Sequence, residues 1–290
     1  MSELVKLSVD NMNDVVRIVN ESSHGMLIEY NLDLFSFLSL SQYWQFSYDY
    51  SLVRYVDGEA AAVVLACTEP ETRDGFIWYW GALPKFWRQP IALPLMQTCC
   101  ERLLRDGYKT LYGVAAPDRP SRRYRFIRSQ AEHTLLELIA SSVHLPPRDE
   151  QFQVRALSLD DVVASLAAPN EPVHWCQRPN FMRRVARFLH WFGAFDASGL
   201  QAYVAAMHQS DGTILADIRS QNGSLPAGYE LLRWLSDQGF RFPWTAATVI
   251  EGTYAERLLT SVGFTRHKQL TTLYRDLPST CNPEAAPVPL

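Results

Sequence analysis

The sequence predicts an α/β protein made of two tandem domains of one fold, each a mixed, strongly twisted sheet flanked by helices. Runs with strand alternation and runs with helical spacing succeed each other along the chain, and each half reads β-α-α-β-β-β-α-β-α-β. Glycines recur in register between the halves: Gly58 with Gly199, Gly75 with Gly212, Gly107 with Gly239. Their offsets of about 130 to 140 residues make a domain period rather than a solenoid period. With 290 residues, 47% of them hydrophobic, the chain is long and apolar enough to bury two cores.

Taken in order, Leu4 to Val9 alternates as a strand, and Asp10 or Asn13 caps a helix whose Val15, Val16, Ile18 and Val19 fall on one face. A second helix starts from Asp33. The run SLVRYV, the pair Asp57-Gly58 and the run EAAAVVLACT form a hairpin, because Asp-Gly supplies the positive φ of a tight turn. A turn at Arg73-Asp74-Gly75 leads into the strand Phe76 to Ala82, a loop with Lys85, Arg88 and Gln89, and a helix stopped by Gly107. KTLYGVA is a buried strand, and PSRRYRFIRSQ a helix with Pro120 in its first turn.

The second half begins with the strand FQVRAL, a helix capped by Ser158 and a second helix, PNFMRRVARFLHWF. A hairpin turning at Ala197-Ser198-Gly199 and the strand GTILADI come next. The helix AGYELLRWLSDQG, the strand WTAATVI, the helix GTYAERLLTSVGF and the strand LTTLYRDL complete it. Two prolines and two charges at Pro146-Pro147-Arg148-Asp149 place the boundary there, giving domains over 1–146 and 150–277. The proline-rich tail 278–290 is expected to be disordered.

Charge narrows the function classes. A formal net charge of −4 creates no field that would recruit DNA or an anionic membrane. No apolar run approaches the ~20 residues of a membrane span, and MSELVKLSVD lacks the basic and apolar regions of a leader, so a cytoplasmic protein is expected. The five cysteines show no CxxC spacing and the seven histidines no ligand spacing, so reduced thiols and no metal centre are expected.

The stretch Ala82 to Gly107 organises the rest. Strand, tight loop and helix N-terminus in that order gather backbone N–H groups around one point, with the positive end of the helix dipole behind them, a place for a phosphate.

Here the residues resemble the GNAT superfamily of acyltransferases, which use acyl-coenzyme A. Its signature after the fourth strand is an apolar residue, any residue and Pro, then a basic, glycine-rich loop ending Gly-x-Gly or Gly-x-Ala at a helix start. Ala82-Leu83-Pro84-Lys85-Phe86-Trp87-Arg88-Gln89-Pro90-Ile91-Ala92 runs through it without insertion, with Pro90 in place of the first glycine. The same register in the second half starts at Ile218 and keeps the last glycine as Gly228, with Pro226 at the first. A proline removes one N–H from the phosphate-holding set, and a lost donor to a charged group costs roughly 1.5 to 3 kcal/mol.

The resemblance implies two GNAT-like domains with acetyl-CoA or another acyl-CoA as co-substrate. The reaction is acyl transfer to the amine of a small molecule, directly rather than through a covalent intermediate. An acyl carrier protein is the alternative donor. Ala82, Leu83, Arg88, Gln89, Ile91 and Ala92 would hold the coenzyme in the first half, Ile218 and Gly228 in the second. Trp78 and Trp80 would wall the substrate cleft, with packed core as their other reading. The strand before the second loop offers Asp217 as base, against a reading as a strand-end carboxylate. The family's acidic tyrosine falls at Phe126 and Leu259, leaving Tyr124 and Tyr254 as nearby substitutes. Arg122, Arg125 and Arg128 make a stripe, with Arg119 and Arg123 beside it, near coenzyme phosphates or on a solvated face. Two other readings stay open: an aminoacyl-tRNA-dependent transferase, and a binding module whose loops have decayed.

Overall fold

The computed structural model describes residues 2–24, 26, 28–115, 130–158, 160–161, 171–209 and 211–277. The chain forms two compact units, one of Met1–Val114, Pro120–Ala131 and Leu273–Leu290, the other of Ala115–Arg119 and Glu132–Thr272. The expected tail, 278–290, lies outside the described residues.

In the first unit, β1 (Ser2–Lys6), β2 (Leu52–Val56), β3 (Glu59–Glu69), β4 (Asp74–Ala82) and β5 (Thr110–Ala115) lie side by side in that order. All neighbours are antiparallel except β4 and β5, which run parallel. The hairpin forms as the sequence predicts, with φ of 49° at Asp57 and 82° at Gly58. β3 is buried along most of its length, and its run of alanines lets α1 (Met12–Ser23) and α3 (Ala92–Arg105) approach the sheet closely. Asp33 caps α2 (Leu34–Trp44) by accepting the Ser36 N–H at 2.6 Å. The helix start near Asn13 differs from expectation. Asn11 precedes α1 and its side chain accepts from the Ser8 N–H at 2.9 Å, closing a short turn before the helix, and β1 starts earlier than Leu4.

In the second unit, β6 (Gln130–Ala140), β7 (Gln153–Ala156), β8 (His190–Asp196), β9 (Gly199–Gln209), β10 (Gly212–Ser220), β11 (Trp244–Ile250) and β12 (Thr265–Asp276) take the order β12-β6-β11-β10-β9-β8-β7. Here too a parallel pair occurs, β10 with β11. Leu231 and Leu235 of α5 (Leu225–Asp237) and Leu258 of α6 (Tyr254–Ser261) pack with Val204, Leu215 and Trp244 of the sheet. A short α4 (Pro179–Val185) precedes β8.

The two compact units do not follow the two sequence halves. Residues 132–140 of β6, expected to close the first domain, belong to the second unit, between β11 and β12. In return the last residues of β12 belong to the first unit: the Leu277 N–H donates to the Lys109 carbonyl at 2.6 Å, and Tyr274 packs on Tyr112. The boundary expected at Pro146 is therefore not where the chain passes between units. The helix expected over 120–130 lies outside the described residues except for Gln130, which starts β6.

Candidate functional site

In the first unit β4 stays paired with β5 only from Asp74 to Ile77, against Thr110 to Gly113. At the point of separation β4 carries a bulge: Ile77 faces Ala66 and Tyr79 faces Leu65, so Trp78 has no partner on β3. The bulge breaks the alternation read from the sequence. Trp78 and Tyr79 turn to the same side, with ring centroids 5.0 and 5.7 Å from that of Tyr30, while Trp80 turns to α3 and donates its indole N–H to the Ala92 carbonyl at 2.6 Å. Trp78 and Trp80, expected together as a cleft wall, lie on opposite faces.

Beyond the bulge β4 has a free edge. The Leu83 N–H donates to the Ala61 carbonyl at 2.9 Å, so Ala82 opposite Ala62 is a non-hydrogen-bonded pair on that ladder. Its N–H and C=O, like those of Trp80 two residues earlier, point toward the side that β5 has left. The Ala82 carbonyl accepts from the Trp87 indole at 2.7 Å.

The loop after β4 folds through a 3-10 turn, Pro84–Phe86. It leaves Arg88, Gln89 and Pro90 exposed. The Gln89 N–H donates to Phe86 and the Ile91 N–H to Gln89, so neither backbone group is available to a ligand, and the Ile91 side chain is buried. The N–H groups of Arg88, Ala92 and Leu93 have no partner among the described residues. Pro94, in the first turn of α3, has no N–H to add. The open donors thus converge on the start of a long helix whose dipole favours an anion.

The second unit repeats the strand geometry and not the loop. β10 bulges at Ala216, and the Gln221 N–H donates to the Gln201 carbonyl at 2.9 Å as Leu83 does to Ala61. Ser220 therefore corresponds to Ala82, and Ile218 to Trp80; the loop register that pairs Ile218 with Ala82 is displaced by two residues. The cause is loop length, residues 221–224 against 83–91. Ser224 caps α5 by accepting from the Ala227 N–H, the Gly228 N–H donates to the Ser224 carbonyl, and Pro226 has none. The N–H groups of Asn222, Gly223 and Leu225 have no partner among the described residues, but of the first helical turn only that of Leu225 is open. Gly228, expected at the coenzyme, is a packing glycine: a Cβ there would stand 2.3 Å from the Tyr254 hydroxyl oxygen and 2.5 Å from Leu258 Cδ2.

Tyr254, expected as an acid, is 1% exposed and donates its hydroxyl to the Ser224 carbonyl at 3.0 Å. Burial pushes its pKa up. Asp217, expected as a base, is 3% exposed, accepts from the Tyr203 hydroxyl at 2.8 Å and pairs with Arg219 at 3.0 Å. Arg219 also donates to the Gln177 carbonyl at 2.6 Å, and the Gln177 amide to the Ala216 carbonyl at 3.4 Å. The turn Trp175–Gln177 is thereby fastened onto the bulge. Burial pushes the Cys176 thiol up to about 12, and His174, whose Nδ1 lies 3.0 Å from the Cys176 sulfur, down to about 3. The sequence reading missed this cluster, although Asp217 and Arg219, two apart on one strand, share a face.

Tyr124, Arg119, Arg122, Arg123, Arg125 and Arg128 lie outside the described residues. Among the described residues no group of His, Cys, Asp and Glu is arranged to hold a metal ion, and no helix is long and apolar enough to cross a membrane.

Comparisons with known proteins bear on the family and the fold. Residues 17–125 match the model of the acetyltransferase (GNAT) family, whose members transfer an acyl group from acyl-CoA to an acceptor. No curated protein matches the sequence. Among solved structures, a GCN5-related N-acetyltransferase from Sphaerobacter thermophilus is similar at 11% identity, over 95% of this chain and 96% of its own, with a TM-score of 0.72. A tandem GNAT protein from the clavulanic acid biosynthesis pathway matches at 10% identity, over 97% and 100%, with a TM-score of 0.70. A putative acetyltransferase from Pyrococcus horikoshii matches at 12% identity, over 95% and 89%, with a TM-score of 0.65. Likeness at these identities speaks for the fold, and the family match speaks for the first half. Residues 17–125 are thus similar to the acetyltransferase (GNAT) family, and the chain has, along its length, the fold of a tandem GNAT protein.

Proposed function

We propose that the first unit binds acyl-CoA, or a carrier-protein pantetheine, and passes the acyl group directly to an amine on a small molecule, while the second unit is a fold partner without chemistry of its own. The supporting observation is the contrast between the loops. In the first turn of α3 the N–H groups of Ala92 and Leu93 are both open, beside that of Arg88 in the loop, whereas in the first turn of α5 only that of Leu225 is, since Ser224 takes the Ala227 N–H and Pro226 has none.

On this reading the diphosphate rests on those N–H groups and the Arg88 side chain, which makes no ion pair with any described residue. The pantetheine arm lies along the edge of β4 at Ala82, and the thioester oxygen meets the backbone at the Trp78 bulge. The acceptor ammonium first loses a proton. Its nitrogen then forms a bond to the carbonyl carbon, the C–S bond breaks, and the thiolate takes up a proton. β4 carries no carboxylate beyond Asp74, and on this reading the ammonium proton leaves to water. Asp217 and Tyr254 are committed to internal contacts and take no part.

Calorimetric titration with coenzyme A and acetyl-coenzyme A tests the reading. Replacing Arg88 and Gln89 together by alanine should weaken binding about 10- to 100-fold, the worth of one charge-assisted contact or two. Changing Ser220 and Asn222 in the second loop should leave it unaltered. The reverse pattern would move the site to the second unit, and no heat at millimolar ligand would remove the coenzyme altogether.

A further inference from the structure

We infer that Trp87 stands in for the pantetheine arm: its indole N–H holds the Ala82 carbonyl until an amide N–H of the arm displaces it. The inference rests on the coenzyme site proposed above and concerns a residue that site does not otherwise use. Trp87 is 59% exposed, although an indole gains most by burial. Its side chain is nevertheless held by a hydrogen bond of 2.7 Å to Ala82.

The acceptor explains why. Ala82 is 6% exposed and its carbonyl faces the edge that β5 has left, so no neighbouring strand can satisfy it. A sheltered carbonyl without a donor is costly, and the indole supplies one from the next turn of chain. Trp80 shows the other way an indole can be used: its N–H reaches the Ala92 carbonyl from beneath α3, and the residue is half-buried. Trp87 lies on the outside of the loop. Its backbone is in the ordinary right-handed region, φ −59° and ψ −27°, with its own N–H on the Pro84 carbonyl at 3.2 Å. The side chain can therefore leave by rotating about its own torsions while the loop keeps its shape.

The ligand chemistry that fits is a secondary amide on a narrow, flexible chain. Two such amides in succession fit best, one offering its N–H to the Ala82 carbonyl in the direction a β-strand would, the other its carbonyl to the Ala82 N–H on the same edge. A nucleotide held by its phosphates at the start of α3 has no amide-bearing chain to lay along this edge. The indole thus competes with the arm and not with the diphosphate, which rests on Arg88, Ala92 and Leu93.

The test compares the wild-type chain with Trp87→Phe, which keeps the ring and removes only the indole N–H. Coenzyme A, pantetheine and adenosine 3′,5′-bisphosphate are titrated into each, with calorimetry and tryptophan emission read together. Coenzyme A and pantetheine should bind Trp87→Phe roughly five-fold more tightly, with the nucleotide unchanged. The emission change that coenzyme A produces in the wild type should be largely lost in the variant, although seven of the eight tryptophans remain. Binding of coenzyme A with equal or lower affinity in the variant, or an equal gain for the nucleotide, would overturn the role of Trp87 and leave the coenzyme site standing. An absence of heat with every ligand in both proteins would overturn the site and this inference with it. Urea denaturation should show Trp87→Phe destabilised by about 1 kcal/mol, the same five-fold factor read on the free protein; a much larger loss would trace the affinity change to folding and overturn the role of Trp87.

Discussion

At the scale of single residues, side chains that look available in the sequence are held by neighbours in the structure. Asp217 sits where a base would be useful in the second half, yet its oxygens already serve Tyr203 and Arg219. Asp217→Ala should leave a buried guanidinium without its counter-charge and cost about 3 kcal/mol, toward the low end for such pairs because Arg219 retains some exposure. Acyl transfer by the folded variant should be unchanged, and a loss of turnover without a loss of stability would restore Asp217 as a base. His174 gives a pH signature. Burial, with the charges of Arg178 and His133, lowers its pKa to about 3 from 6.5. The unfolded chain therefore takes up a proton below about pH 6.5 that the folded chain does not. Stability should be full above that pH and fall by up to ~1.4 kcal/mol per unit between pH 6.5 and 5. Urea midpoints across that window should show the slope, and His174→Gln should flatten it.

Elements show why one loop stays open and the other closes. Both units bulge at the same place on the strand, Trp78 and Ala216, and both present two residues to a free edge beyond it. Everything after the edge depends on loop length. Residues 83–91 leave space for a 3-10 turn and end on two open donors in the first turn of α3; residues 221–224 carry the chain straight into a cap that takes the Ala227 N–H. Gly228 then serves the crossing of α5 and α6. Gly228→Ala should destabilise the second unit by about 1 to 3 kcal/mol, since its methyl group would meet the Tyr254 hydroxyl and Leu258 in a closely packed contact. Under the proposed function it leaves coenzyme affinity alone, which calorimetry on the folded variant would check. The shared prolines, which look alike in sequence, also separate here: Pro90 lies in an exposed loop, Pro226 inside a helix.

For the whole molecule, the repeat of glycines and element order was enough to read two copies of one fold, because turns and helix ends impose local conformational demands that few residues meet. The division into compact units was not legible, since strand pairing is chosen by partners far away in the chain. Residues 132–140 and 273–277 each complete a unit other than the one their sequence position suggests. A fragment of residues 1–146 should therefore fail to fold cooperatively: it lacks the segment beside β5 and carries β6 without β11. Circular dichroism during urea denaturation measures this, and a sharp two-state transition for the fragment would refute it.

The sequence by itself determined the order of elements, the hairpin at Asp57-Gly58, the cap at Asp33 and the strand–loop–helix junction of Ala82 to Gly107, all properties of residues close together in the chain. Tertiary structure alone decided which backbone donors stay unpaired, which polar side chains neutralise one another, and which strand closes which unit. Each of those depends on what lies opposite a group in space, and a hydrogen-bonding group is available to a ligand only when nothing there has taken it.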